Sequence, residues 1–261
     1  MNERHRQYLA HMGIPVYALR SRSSDNAGES VPAASVSAVV PVAEKKFAKE
    51  PALSNPDGQG KKVGASLGPV AASAEVWRAL EAEVAGCTRC ALHRGRTHTV
   101  FGVGRRDADL LIVGEAPGAE EDRQGEPFVG RAGQLLNAML KAIGFARDEV
   151  YIANILKCRP PSNRDPRPEE AEVCTPYLAR QIALIRPYAM LALGRIAAQW
   201  LLQTDTPIGR LRGREHRFGE QGTPLIVTYH PAYLLRSPLA KAKTWQDLCM
   251  VKQVVSARSS N

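Results

Sequence analysis

Residues 109–136, DLLIVGEAPGAEEDRQGEPFVGRAGQLL, constrain the fold of this chain more than any other stretch. Residues 109–113 are a short apolar run closed by Gly114, the pattern of a buried strand. A turn rich in Gly, Pro and carboxylates follows as far as Gly130. Ala132, Leu135, Leu136, Met139, Leu140 and Ile143 then recur at helical spacing, so a helix folds back on the strand. Strand, long polar turn and helix together predict a ligand pocket at the carboxyl end of a sheet.

The rest of the chain repeats this alternation. Ser73 can cap a helix with Val76, Trp77, Leu80 and Val84 on one face. A short strand is expected at 100–103, core strands at 110–113, 150–153, 188–193 and 225–229, and a hairpin over 211–218. Helices are expected at Pro168–Ile185, Arg195–Leu202 and 243–255. Pro168 suits a first-turn position, and Glu169, Glu170 and Glu172 suit the positive end of the dipole. The predicted fold is α/β: a three-layer α/β/α arrangement around a four-stranded parallel sheet.

Residues 21–72 are mostly Ser, Ala, Gly, Pro, Lys and Glu, too poor in large apolar groups to offset ordering entropy. Residues 1–72 are therefore expected to be a flexible extension with a short apolar peptide at 7–20, and residues 73–261 the folded domain. The peptide MGIPVYALR is similar to the amino-terminal segment of the polymerase III psi subunit, which implies a replication or repair protein as partner. Net charge is +9, and residues 76–261 hold 26 Lys and Arg against 19 Asp and Glu. A basic folded domain favours a polyanionic partner such as nucleic acid. No run of about 18 uncharged apolar residues spans a membrane, and no secretory signal is visible. Five cysteines in such a chain point to a reducing, cytoplasmic compartment, with the nucleoid the expected location.

Cys87 and Cys90 form a CxxC pair, and Cys158 and Cys174 follow. Two thiolates from a loop and two from distant turns can make a four-sulfur cage for zinc or an iron–sulfur cluster, and spacing does not choose between them. Cys249, beside Leu248 and Met250, reads as a buried core residue. Because Cys158 lies in NILKCRPP, a metal would be tied to the turn bearing Asn154 and would hold the pocket wall in place.

Three ordered motifs, GEAPGAEED with GEPFVGRAGQLL, then NILKCRPPSNRDP, then YHPAYLLR, lie within the four-cysteine frame. Together they resemble the family 4 uracil-DNA glycosylases over residues 80–255. The resemblance implies a 4Fe–4S cluster on Cys87, Cys90, Cys158 and Cys174. It implies an enzyme that flips uracil out of DNA and hydrolyses its N-glycosidic bond, leaving an abasic site. Phe128 would stack on the base, and the Asn154 amide would pair with uracil O4 and N3–H. Backbone N–H groups around Gly114, Glu115 and Ala116 would hold O2. His230 would donate to O2 as charge develops, and Glu121 would exclude thymine's methyl.

Family 1 relatives place an Asp where this chain has Ala116, so that route to an activated water is closed. Glu115 or Asn163 would orient the water instead. Pro231, Leu234 or Leu235, and Arg236 resemble the minor-groove segment, with Ala232 where Ser is more frequent. Lys157, Arg159, Arg164 and Arg167 would extend a phosphate track, while Glu120 and Asp122 read as solvated turn residues. A monomer acting on single- or double-stranded DNA is expected. The alternative is a uracil-DNA binding protein with little or no turnover. That branch carries an extra basic loop ending in His, which is missing between Cys158 and Cys174.

Overall fold

The computed structural model describes residues 69–258, with side chains from residue 74 onward. Residues 1–68 of the predicted flexible extension, its apolar peptide among them, lie outside the described residues, and its last four residues fall in the first helix. The elements in chain order are α1 (Pro69–Ala85), β1 (Val103–Gly104), β2 (Leu110–Gly114), α2 (Ala119–Gln124), α3 (Arg131–Ile143) and β3 (Tyr151–Asn154). Then come α4 (Pro168–Ile185), β4 (Ala189–Leu193), α5 (Arg195–Leu202), α6 (Ile208–Leu211), β5 (Glu215–Phe218), β6 (Thr223–Thr228), α7 (Pro231–Arg236) and α8 (Lys241–Arg258).

The sheet is six-stranded and mixed, not four-stranded and parallel, in the order β1-β3-β2-β4-β6-β5. Its inner four strands run parallel, and β1 and β5 are antiparallel edges. The edges are short: β1 has two residues, and β5 carries Glu215 and Arg217 outward, which discourages further pairing.

Strand residues alternate between two cores. Leu111, Val113, Tyr151, Ala153, Met190, Ala192, Leu225 and Val227 face α1, α4 and α5. Leu110, Ile112, Ile152, Leu191, Leu193 and Ile226 face α3, α7 and α8. The inner strands are therefore apolar on both faces, which explains their unbroken apolar runs. Chain order places β3 on one side of β2 and β4 on the other, so the crevice outside their carboxyl ends is the natural binding place.

Candidate active site and four-cysteine lobe

A cavity of about 400 Å³ opens at that crevice, lined by Glu115, Ala116, Glu121, Phe128, Asn154 and His230 among others. Asn154 ends β3 in register with Gly114 of β2. Its side chain is 2% exposed, and its Oδ1 has no hydrogen-bond partner. An unmatched buried carbonyl costs about 1–3 kcal/mol, so this one is poised for an incoming donor. Gly114 makes the arrangement possible. A Cβ there would lie 2.3 Å from Asn154 Oδ1 and 2.7 Å from Phe128 Cζ.

Phe128 adopts φ of +55°, sparsely populated for an aromatic residue. Two contacts hold it. Its carbonyl lies against Gly133, where a Cβ would come within 1.8 Å. From α2, Glu121 Oε1 accepts the N–H groups of Val129 (3.0 Å) and Gly130 (3.1 Å), fixing the following turn. The Phe128 ring packs 5.6 Å from the His230 ring, tilted by 32°.

His230 caps α7, its Nδ1 accepting the Ala232 N–H at 3.2 Å. That bond leaves the proton on Nε2. Burial, aided by Arg236 and opposed by Glu121, lowers its pKa to about 4, so the ring is neutral at physiological pH. Gly194 at the end of β4 lets this segment approach, since a Cβ there would sit 3.0 Å from His230 Cβ. Glu115 moves the other way: burial and the like charge of Asp165 raise its pKa to about 7, against a smaller pull from Arg195. Asn163 is exposed at the rim, and its Oδ1 accepts from Arg159 Nε at 2.7 Å.

A second, smaller space on the α1–α4 side is lined by all four predicted ligands, Cys87, Cys90, Cys158 and Cys174. Arg96 donates to Cys158 Sγ (3.2 Å), and the Lys157 N–H donates to Cys174 Sγ (3.2 Å). Burial raises the Cys174 thiol to about 11. Burial would also raise Cys87, but hydrogen bonds from Tyr177 and Arg89 outweigh it and lower that thiol. Among the described residues, no three His, Cys, Asp or Glu side chains converge as a single metal ion would require. The four sulfurs are instead distributed around a common space.

The uracil-DNA glycosylase superfamily model matches residues 101–249. The chain is 46% identical over 184 residues to the Type-4 uracil-DNA glycosylase of Archaeoglobus fulgidus, covering 66% of this chain and 92% of that protein. It is 42% identical to the Pyrobaculum aerophilum Type-4 enzyme, over 64% of this chain and 88% of the relative. It is 43% identical to the one from Thermotoga maritima, over 62% and 85%.

The chain belongs to the uracil-DNA glycosylase superfamily.

In this superfamily member the cavity gathers Glu115, Ala116, Glu121, Phe128, Asn154, Asn163, His230 and Arg236, bringing three distant motifs together, while Gly114 does not line it and lies beside Asn154 in the sheet. Several expectations need correction. Leu234 is fully buried in the core and Pro231 is buried at the start of α7, so neither offers surface to DNA. Leu235 is 39% exposed, and Leu239, which the motif reading passed over, is 94% exposed just beyond α7. Lys157 is buried rather than on a phosphate track, and Arg164 is paired with Glu170. Asp122 is buried too, its two oxygens accepting the Thr97 N–H.

Cys174 sits on α4, not in a turn, and Cys249 is half-buried rather than core. Helix α1 begins at Pro69, so Ser73 lies inside it. Asp165, Tyr233 and Pro160 also line the cavity and were not foreseen. Their one sequence signal was position: each falls within a few residues of a motif Asn or His.

Proposed function

We propose that this chain is a monofunctional uracil-DNA glycosylase that flips uracil from DNA, hydrolyses its N-glycosidic bond and leaves an abasic site. One observation carries the reading: Asn154, whose buried Oδ1 is unmatched, lines a cavity together with Phe128 and His230. A flat pyrimidine stacked on Phe128 would present its N3–H to that oxygen and its O4 to the amide nitrogen. Cytosine, with a lone pair at N3 and an amino group at C4, would leave both unsatisfied, a mismatch of the kind that discriminates strongly.

As the C1′–N1 bond breaks, its electron pair moves to the base and is shared with O2. The His230 Nε2–H donates to that oxygen without giving up its proton, an electrostatic role that suits a neutral ring. Water adds to the cationic sugar carbon and loses a proton. Glu115, buried and titrating near neutrality, is suited to take it. Asn163, already engaged by Arg159, is better suited to fix the water's direction. Glu121 spends one carboxylate oxygen on the turn after Phe128, which shapes the wall facing the base.

Leu235 on α7 and Leu239 just beyond it are exposed apolar side chains that can fill the gap in the stack, and Arg236, which lines the cavity, can hold a phosphate.

The four cysteines fit a 4Fe–4S cluster. All four line one space and two of their sulfurs receive N–H donors, a thiolate set of the kind that holds such a cluster. Such a cluster would tie α1, the turn after β3, and α4 together and take no part in bond cleavage. Free uracil released from a uracil-containing oligonucleotide, with alkali-labile sites left behind, tests the proposal. No release at micromolar protein carrying iron and sulfide would overturn it.

A further inference from the structure

Between the cavity and the four-cysteine lobe lies one buried charge that the chemistry above does not use. Lys157 is 1% exposed. Its Nζ donates to the main-chain oxygen of Asn154 at 2.9 Å and to Gln181 Oε1 at 2.7 Å. Gln181, itself fully buried on α4, donates onward to Phe101 O (3.0 Å) and Tyr151 Oη (3.1 Å). The Lys157 main chain is committed as well, its N–H to Cys174 Sγ and its carbonyl to the Val100 N–H at 2.8 Å. Every polar group of this residue therefore joins the end of β3 to a different neighbour.

An ammonium is an expensive way to fill a core. Its burial costs several kcal/mol before partners are counted, and a methionine of similar length would fill the same volume. What methionine cannot do is donate to two acceptors on different elements. The peptide following the Asn154 Cα is held at both ends: its carbonyl accepts from Lys157 Nζ, tying it toward α4, and its Ile155 N–H donates to Gly114 O at 3.0 Å, tying it to β2. The next peptide is fixed separately, by Leu156 N–H to Glu115 O (3.1 Å).

We propose that Lys157 is a positioning residue: its ammonium locks the Asn154 main chain to α4, so that the helix carrying Cys174 sets where the base-reading amide points. This rests on the glycosylase reading for what Asn154 does, though not for the geometry. On this proposal the effect of the Lys157 ammonium on cleavage passes through Asn154, which separates it from a mere prop of the fold.

The test is a double-mutant cycle in the full-length, cluster-loaded protein, read as single-turnover uracil release. Lys157→Met should slow release roughly tenfold in the native background yet change it by less than about twofold when Asn154→Ala is already present. The visible absorbance of the cluster should persist in both. Equal slowing in the two backgrounds, or no slowing in the native one, would overturn the proposal.

Should Lys157→Met fail to fold, Gln181→Met removes the side-chain acceptor of Lys157, along with the donors to Phe101 O and Tyr151 Oη, and must show the same dependence on Asn154. Additive slowing there overturns the proposal equally. A wild-type protein that releases no uracil would instead sink the glycosylase reading, so the two failures are distinguishable.

Discussion

The base cavity and the four-cysteine lobe are both buried and polar, both assembled from distant segments, and opposite in how their polar groups are satisfied. At the cavity, Asn154 Oδ1 has no partner, while burial pushes His230 down and Glu115 up, each toward its uncharged form. At the lobe, Cys158 and Cys174 already receive donors from Arg96 and Lys157, and Cys87 is held by Tyr177 and Arg89. Burial alone would not tell them apart. The difference teaches that a place for a transient guest leaves its hydrogen-bonding capacity open, whereas a resident structural group has its surroundings completed in advance.

The sharpest way to break this comparison is to empty each side in turn. Asn154→Ala and His230→Ala should each cut uracil release by about 10²–10³-fold, with the melting temperature shifted little. Release within a few-fold of wild type, or a collapse in melting temperature, would erase the distinction. Cys174→Ser should do the reverse. It removes a ligand between α4 and the turn after β3, and should lower the melting temperature by roughly 5–10 °C with loss of visible absorbance. Calorimetry and a spectrum check it.

A smaller effect sharpens the cavity side. The Glu115 pKa rises from its ordinary 4.5 to about 7, so the folded protein binds this proton more tightly than the unfolded chain does. Its contribution to stability is fully present below about 4.5 and is lost as pH rises through 7. Glu115→Gln should therefore raise the melting temperature more at pH 8 than at pH 4.5, while slowing release. An equal shift at both pH values would contradict the burial argument. The smallest effect expected is at the rim. Leu239→Ala should weaken action on duplex DNA roughly tenfold and on single strands less, because only a duplex leaves a gap to fill. Steady-state kinetics on matched substrates decide it.

Much of this was legible in the chain itself. Apolar runs marked the four inner strands because both faces of each are covered, and the edge strands were visible only as short or hairpin-like segments. The four cysteines were readable as a group by residue type, and the structure brings them to one space. Gly114 and Phe128 were readable as parts of one long polar turn, though not the reason the glycine is needed there.

What escaped the sequence was the fate of charged residues. Helix α2 is mostly polar and shows no apolar period, so it read as turn. Asp122 and Lys157 read as solvated because their partners, Thr97 and Gln181, lie 25 and 24 residues away. Burial of such side chains is a tertiary decision that local pattern does not record. Leu234 and Leu235 show the same limit on a smaller scale, since only the rotation of a six-residue helix decides which one meets the core.

The central claim is that one flat pyrimidine sits among Phe128, Asn154 and His230. A crystal structure of the protein with free uracil tests it most directly. The expected density shows the ring stacked on Phe128, N3 and O4 on the Asn154 amide, and O2 within hydrogen-bonding distance of His230 Nε2. Uracil bound elsewhere, or bound in the cavity with its N3–O4 edge turned away from Asn154, would contradict it.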